Sequence, residues 1–89
     1  MSIAEVINSF SLTKEQFEKL TDQQFQILSF ICMNGSITPM DAYSELWITK
    51  LATRVSEMKA MGIRFDQAYE SRKNRFGKTV RFMRYRKAA

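Results

Sequence analysis

The chain has no histidine, one cysteine, one proline and three glycines among its 89 residues. Without histidine, the common zinc-ligand sets and the bases that activate a serine or cysteine nucleophile are missing. Cys32 has no partner for an internal disulfide, and inside an apolar helical pattern it reads as an inert buried thiol suited to a reducing compartment. Neither G-x-G-x-x-G nor G-x-x-x-x-G-K-[ST] occurs, which removes the phosphate loops of recognisable kind. Asp41 and Glu45 are carboxylates at i, i+4, but beside a Thr-Pro helix start they read as partners of the helix dipole, not as an acid and base pair. The longest mainly apolar run, 25–33, is far too short to span a bilayer, and no secretory signal pattern opens the chain. These absences point to a soluble cytoplasmic protein that is not an enzyme, with no catalytic residue, metal ligand, cofactor or membrane partner assigned.

What is present suits one small domain: 45% hydrophobic residues over this length support a single modest core. Per-residue scaling puts its stability at about 5–9 kcal/mol. Six Met and seven Phe lead the apolar set, a composition that makes an adaptable core. The net charge of +5 is unevenly spread. From residue 1 to 62 there are five basic and seven acidic side chains, net −2, whereas from 63 onward nine basic residues face only Asp66 and Glu70, net +7. A positive field confined to the last third of the chain selects a polyanion, and the phosphate backbone is the commonest one.

Residues 1–20 read as a helical extension. Ile3, Val6, Ile7 and Phe10 follow the i, i+3, i+4, i+7 spacing of an amphipathic helix that either packs on the domain or pairs with a second copy. Thr13 with Gln16, and Thr21 with Gln24, are capping-box signatures. The domain proper is expected over 21–87. Phe25, Ile27, Leu28, Phe30, Ile31 and Met33 predict its central core helix, ended by Asn34-Gly35, and Ser36-Ile37 predicts a short strand.

The stretch 36–62 organises the rest. Thr38 then Pro39 marks an N-cap and first helical position, and Asp41 falls in the first turn. After Ala42, Tyr43 and Leu46 the pattern breaks at Trp47-Ile48. Thr49 is expected to cap a second helix over 49–61 carrying Leu51, Ala52, Val55 and Met58, with Gly62 closing it. Two short helices joined by a few residues form a helix-turn-helix, whose second helix is the one commonly laid in a major groove. At about 100° per residue, Val55 and Met58 share the side of Leu51, while Thr49, Lys50, Thr53 and Glu57 gather opposite, with Arg54 at the border. Those five residues form the expected reading face.

Beyond Gly62, Ile63, Phe65 and Tyr69 alternate with polar neighbours and predict a half-buried strand. Residues 71–78 read as a turn by their Asn, Gly and charge. Residues 79–86 predict the returning strand, in which Val80 and Phe82 share one face and Met83 and Tyr85 the other, leaving a bulge or a two-sided strand open. Phe76, Phe82 and Tyr85 are expected in the hairpin core; if exposed, they would suit base stacking in an RNA-binding variant of the reading. The basic tip carries Arg72, Lys73, Arg75 and Lys78, with Arg81 beside it, as expected phosphate contacts.

The run GSITPMDA, then Leu46, then ITKLATRVSEMKAMGI resembles the small winged helix-turn-helix domains of phage and prophage genomes. Members typically read I-T-P-x-x-A, a turn, a basic-L-A-x-R-I-x-x-L-x-x-x-G-I pattern and a β-hairpin. The resemblance spans about Leu20 to Tyr85. It implies a mainly α fold with a small β-hairpin (α+β) and duplex DNA as partner, with Lys50 and Arg54 on the group's basic positions. Trp47 departs from the pattern, since the turn often holds Gly; a plug for the core and an outward contact both remain open. Three functions follow from these readings: a dimeric transcriptional regulator, an excisionase-like architectural DNA binder, or a small viral inhibitor of a host protein or ribonucleoprotein complex.

Overall fold

In a computed structural model describing residues 2–88, five helices precede one antiparallel hairpin. The helices are α1 (Ile3–Phe10), α2 (Lys14–Lys19), α3 (Asp22–Asn34), α4 (Pro39–Leu46) and α5 (Leu51–Ala60), and the strands are β1 (Phe65–Lys73) and β2 (Thr79–Lys87). Each of the first four helices opens on a side-chain cap. Ser2 accepts from the Glu5 N–H, and Thr13, Thr21 and Thr38 form reciprocal capping boxes with Gln16, Gln24 and Asp41. These bonds satisfy N–H groups that a helix start leaves unpaired. Gly35, at φ +87, ends α3 in the left-handed region.

The core lies where α3 meets the other elements. Ile27, Leu28 and Ile31 of α3, Val6 and Phe10 of α1, and Leu51, Val55 and Met58 of α5 are buried together. Thus the apolar stripe of α1 packs largely on its own chain, with Val6 and Phe10 in the core, Ile7 half-buried against it and Ile3 exposed. Gln16 of α2 donates from Nε2 to the Met61 carbonyl at 3.0 Å, fastening α2 to the end of α5. Met33, expected in the core, is 65% exposed because it lies on the side of α3 opposite the buried Gln24, Ile27, Leu28 and Ile31.

Four further expectations are corrected. Thr49 does not cap α5: the helix begins at Leu51, and the N-cap is Lys50, which makes no side-chain cap bond. The reason lies at Trp47, whose left-handed backbone (φ 58, ψ 30) redirects the chain so that Ile48 drops into the core. Thr49 and Lys50 then complete the turn. Ile63 is not in a strand; its N–H bonds to the Met58 carbonyl at 3.1 Å and its side chain plugs the core below α5. The turn is shorter than 71–78, since Ser71, Arg72 and Lys73 pair with Arg81, Val80 and Thr79. Charged side chains suit a two-stranded ribbon that is wet on both faces. Tyr69, finally, is 63% exposed instead of half-buried.

The hairpin register runs unbroken from Phe65↔Lys87 to Lys73↔Thr79, without a bulge. β2 is therefore the two-sided strand. Met83 and Tyr85 turn toward the core, while Val80, Phe82 and Arg84 occupy the opposite face. At its root, Ile37 and Tyr85 exchange two backbone hydrogen bonds of 2.9 Å, a single bridge where a short strand was expected. Arg84 reinforces the root, donating to Glu70 at 2.5 and 3.0 Å and to the Ser36 hydroxyl at 2.8 Å. The molecule extends 47 Å along its long axis against 23 and 20 Å across.

Candidate nucleic-acid interface

Helix α5 buries Leu51, Val55 and Met58 and leaves Ala52, Thr53, Ser56, Glu57, Lys59 and Ala60 exposed. The outward surface is small and polar, which lets a helix approach another surface closely. Of the five expected reading residues, Thr49 and Lys50 are exposed but precede the helix, and Thr53 stands on its outer face. Arg54 and Glu57 lie to one side. The Arg54 Nε sits 3.4 Å from Glu57 Oε1, and the same carboxylate oxygen accepts from Gln24 Nε2 at 3.1 Å, drawing both toward the start of α3. Ser56 and Lys59 were missed by the sequence reading. The helical wheel that selects Thr53 also puts Ser56 opposite Leu51.

Lys59 connects this face to the hairpin through a hydrogen bond from its Nζ to Gln67 Oε1 on β1. Strand pleating then places Tyr69, Ser71 and Lys73 on the Gln67 side, with Arg81 and Thr79 across from Ser71 and Lys73. The Arg81 guanidinium lies 4.4 Å from the centre of the Tyr69 ring. Such stacking over a phenol holds an exposed arginine in place while its charge stays in water. A polar and cationic strip thus leads from α5 along one face of the hairpin to its tip.

The other hairpin face looks at the start of α4. Between them is a groove of about 460 Å³ whose walls include Pro39, Met40, Arg72, Val80 and Phe82. Arg84, at its base, is committed to Glu70 and Ser36. Its hydrogen bond holds the Glu70 carboxyl below the ordinary carboxylate range, opposed by partial burial and assisted by the charges of Arg84, Arg86 and Arg72. Arg84 is therefore a structural cation, whereas Arg72, Lys73, Arg75, Lys78 and Arg81 are all exposed.

The tip is a tight loop, Asn74 to Lys78. Asn74 N–H donates to the Lys78 carbonyl at 2.8 Å, and the Gly77 N–H to the Asn74 carbonyl at 3.0 Å. The Asn74 Oδ1 accepts from the N–H groups of Phe76 and Lys78 at 3.0 and 3.1 Å. Gly77 takes φ +76, as the return to β2 requires. Phe76, expected in the hairpin core, is instead 85% exposed, because a loop beyond the last strand pair has no second layer to cover it. Phe82 is half-buried and Tyr85 buried.

Among the described residues no cluster of His, Cys, Asp or Glu is placed to hold a metal ion, and no helix is long and apolar enough to cross a membrane. A family model described as a winged helix-turn-helix domain matches residues 22–86, from the start of α3 to near the end of β2. No curated protein and no solved structure matches the chain.

Proposed function

This chain belongs to the winged helix-turn-helix domain family, and from that premise we propose that it binds duplex DNA as a cytoplasmic, non-enzymatic transcriptional regulator of phage or prophage origin. The observation that carries the reading is the continuity of two surfaces: the small polar outer face of α5, and a cationic hairpin joined to it through Lys59 and Gln67. In this reading α5 lies in the major groove. Lys50, Thr53 and Ser56 meet base edges, with Thr49 and Arg54 at the margin, and Glu57 turns away a misplaced phosphate. Arg72, Lys73, Arg75, Lys78 and Arg81 hold the backbone beside the adjacent minor groove. The regulator acts as a dimer on paired half-sites; pairing through α1 would fall to Ile3 and Ile7, since Val6 and Phe10 are committed to the core.

The test is fluorescence anisotropy of the full chain on a duplex from upstream of its own coding region and on a scrambled duplex, across a salt series. Neutralising about five phosphates gives a slope of log affinity on log salt of about −4 to −5. Arg75→Ala weakens both duplexes alike, whereas Lys50→Ala narrows the preference for the upstream one. A slope near zero on both duplexes sinks the reading.

A second reading is favoured by Met40, Tyr43 and Trp47, which form an exposed apolar stripe along α4 with the Tyr43 and Trp47 rings 6.3 Å apart. Such a stripe suits a protein partner, as a viral inhibitor of a host complex would need. It predicts binding of a host protein that Tyr43→Ser abolishes while DNA affinity stays unchanged.

A further inference from the structure

The aromatic side chain at the hairpin tip has no structural task. The loop is closed by Asn74, by Gly77 and by the backbone of Phe76; the Phe76 ring contributes to none of these bonds. It is 85% exposed and stacks on no other ring among the described residues. Arg75 precedes it and Lys78 follows two residues on. From residue 71 to 87 there are eight cations and no carboxylate.

We propose that Phe76 is a wedge that enters the minor groove and slides between two base pairs, kinking the duplex that the hairpin cations hold. The proposal rests on the DNA-binding reading and adds to it a mode of contact and a source of sequence preference. Three properties of the tip fit this task. The first is charge: an apolar ring set among exposed cations is brought to a polyanion before anything else, and phosphate contacts on either side hold it at the groove. The second is shape, since the hairpin ends in a five-residue loop that leaves the Phe76 ring exposed at its end, and a minor groove about 6 Å wide admits a side chain but not a two-stranded ribbon. The third is stiffness. A ring pushed between stacked bases must be held from behind, and four hydrogen bonds fix the five-residue loop behind Phe76. Proteins that unstack a base step from the minor groove use Phe, Leu, Ile, Met or Pro for the purpose, flanked by basic residues.

The consequence for specificity is indirect. A wedge prefers the steps that open most easily, TA and CA/TG, so the protein discriminates at a base step with which the hairpin makes no hydrogen bond. The α5 face reads one groove by its edges while the tip reads its neighbour by its compliance.

The test uses the full chain and a short duplex with a central TA step, donor and acceptor dyes at its ends and 2-aminopurine replacing the adenine of that step. Anisotropy reports binding, energy transfer reports bending, and 2-aminopurine brightens when unstacked. The wild type is expected to bring the ends together by a kink of about 20–90° and to raise the 2-aminopurine signal. Phe76→Ala, whose far-ultraviolet circular dichroism should match the wild type because the ring is exposed, is expected to bind about tenfold more weakly. Its salt slope should be unchanged, because no charge is lost, and its bend and 2-aminopurine response should vanish. Phe76→Leu, which restores an apolar wedge, should recover part of the bend. Saturable binding by the wild type with no bend and no 2-aminopurine response overturns the wedge and leaves DNA binding standing, as does a Phe76→Ala protein that bends like the wild type. Absence of binding to any duplex at low salt overturns the DNA-binding reading itself, and the wedge with it.

Discussion

Trp47→Gly should make this protein more stable, although it deletes the only tryptophan. Trp47 holds φ 58 and ψ 30 at the end of α4, where its N–H bonds to the Tyr43 carbonyl at 3.1 Å and the Ile48 N–H to the Ala42 carbonyl at 3.0 Å. In that left-handed conformation a Cβ crowds the following carbonyl oxygen, at a cost of roughly 1–2 kcal/mol that glycine avoids. Glycine returns roughly 0.5–1 kcal/mol through the greater freedom of its unfolded chain. The lost side chain is 80% exposed, and its nearest ring, that of Tyr43, lies 6.3 Å away at a 55° tilt. A solvent-exposed helix-surface pair of this sort contributes about 0.2–0.5 kcal/mol. The balance favours glycine by about 0.5 kcal/mol, a rise in Tm of a few degrees for a domain of this size. Urea unfolding followed by far-ultraviolet circular dichroism measures it without tryptophan fluorescence. Trp47→Ala is the control, because it removes the ring and keeps the strained Cβ; it should be less stable than Trp47→Gly by about 1 kcal/mol. Equal stabilities for the Gly and Ala variants, or a glycine variant weaker than the wild type by more than about 1 kcal/mol, would refute the assignment of strain to this residue.

Other perturbations report on the core and on the hairpin root. Met58→Ala removes a fully buried side chain that closes α5 onto the core and should cost about 2–5 kcal/mol in urea unfolding, a large part of the total stability of so small a domain. Arg84→Gln should lower Tm at neutral pH, and the gap from the wild type should narrow in acid to what the Ser36 hydrogen bond contributes. The folded-state value of Glu70 is depressed by the Arg84 hydrogen bond, so its contribution is present above the ordinary glutamate value of about 4.3 and is lost as pH falls through the depressed value. A gap that stays constant between pH 7 and pH 3 would contradict that linkage. Tyr85 behaves in the opposite sense. Burial, and secondarily the charge of Tyr69, raise its folded-state value, so stability should be intact below the ordinary phenol value of about 10 and should decline as pH rises beyond it. Tyr85→Phe should flatten that alkaline decline in pH-dependent unfolding.

The order of elements was legible because local chemistry and burial agree along most of the chain. Thr13, Thr21 and Thr38 announce their helices through caps that form as the spacing implies. Leu51, Val55 and Met58 bury the face that the helical period selects. Asn74 and Gly77 mark the hairpin loop, whereas Ser71, Arg72 and Lys73, which also read as turn residues, are paired in β1. Charge is a weak guide to a turn here, since both faces of the ribbon are wet over residues 71–81. Arg84 shows the reverse limit. Its charge looks like those of Arg81 and Arg86 in sequence, and only the register that sets it beside Glu70, together with the bridge that brings Ser36 near, shows it to be structural.

Aromatic residues were the hardest to place, for a physical reason. A phenylalanine in a core and one at a loop tip carry the same hydropathy, and periodicity tells them apart only inside a regular element. Tyr69, Phe76 and Trp47 sit in a distal strand, a loop and a turn, where no second layer imposes a period, and all three are exposed. Folding does not account for these rings, because each could be polar without opening a cavity, and Trp47 is held in a backbone conformation that disfavours any side chain. Local sequence rules that fail where packing has no stake are the signature of another demand on the surface. The demands differ by position. Tyr69 underlies the Arg81 guanidinium and orients a cation on the strip leading from α5, Phe76 stands among exposed charges, and Trp47 continues the apolar stripe of Met40 and Tyr43 away from the hairpin. In the two proposed readings the hairpin tip serves the polyanion and the Tyr43–Trp47 end of the α4 stripe serves the protein partner, so Phe76→Ala should disturb DNA bending and leave the α4 stripe untouched, while Trp47→Gly should do the converse.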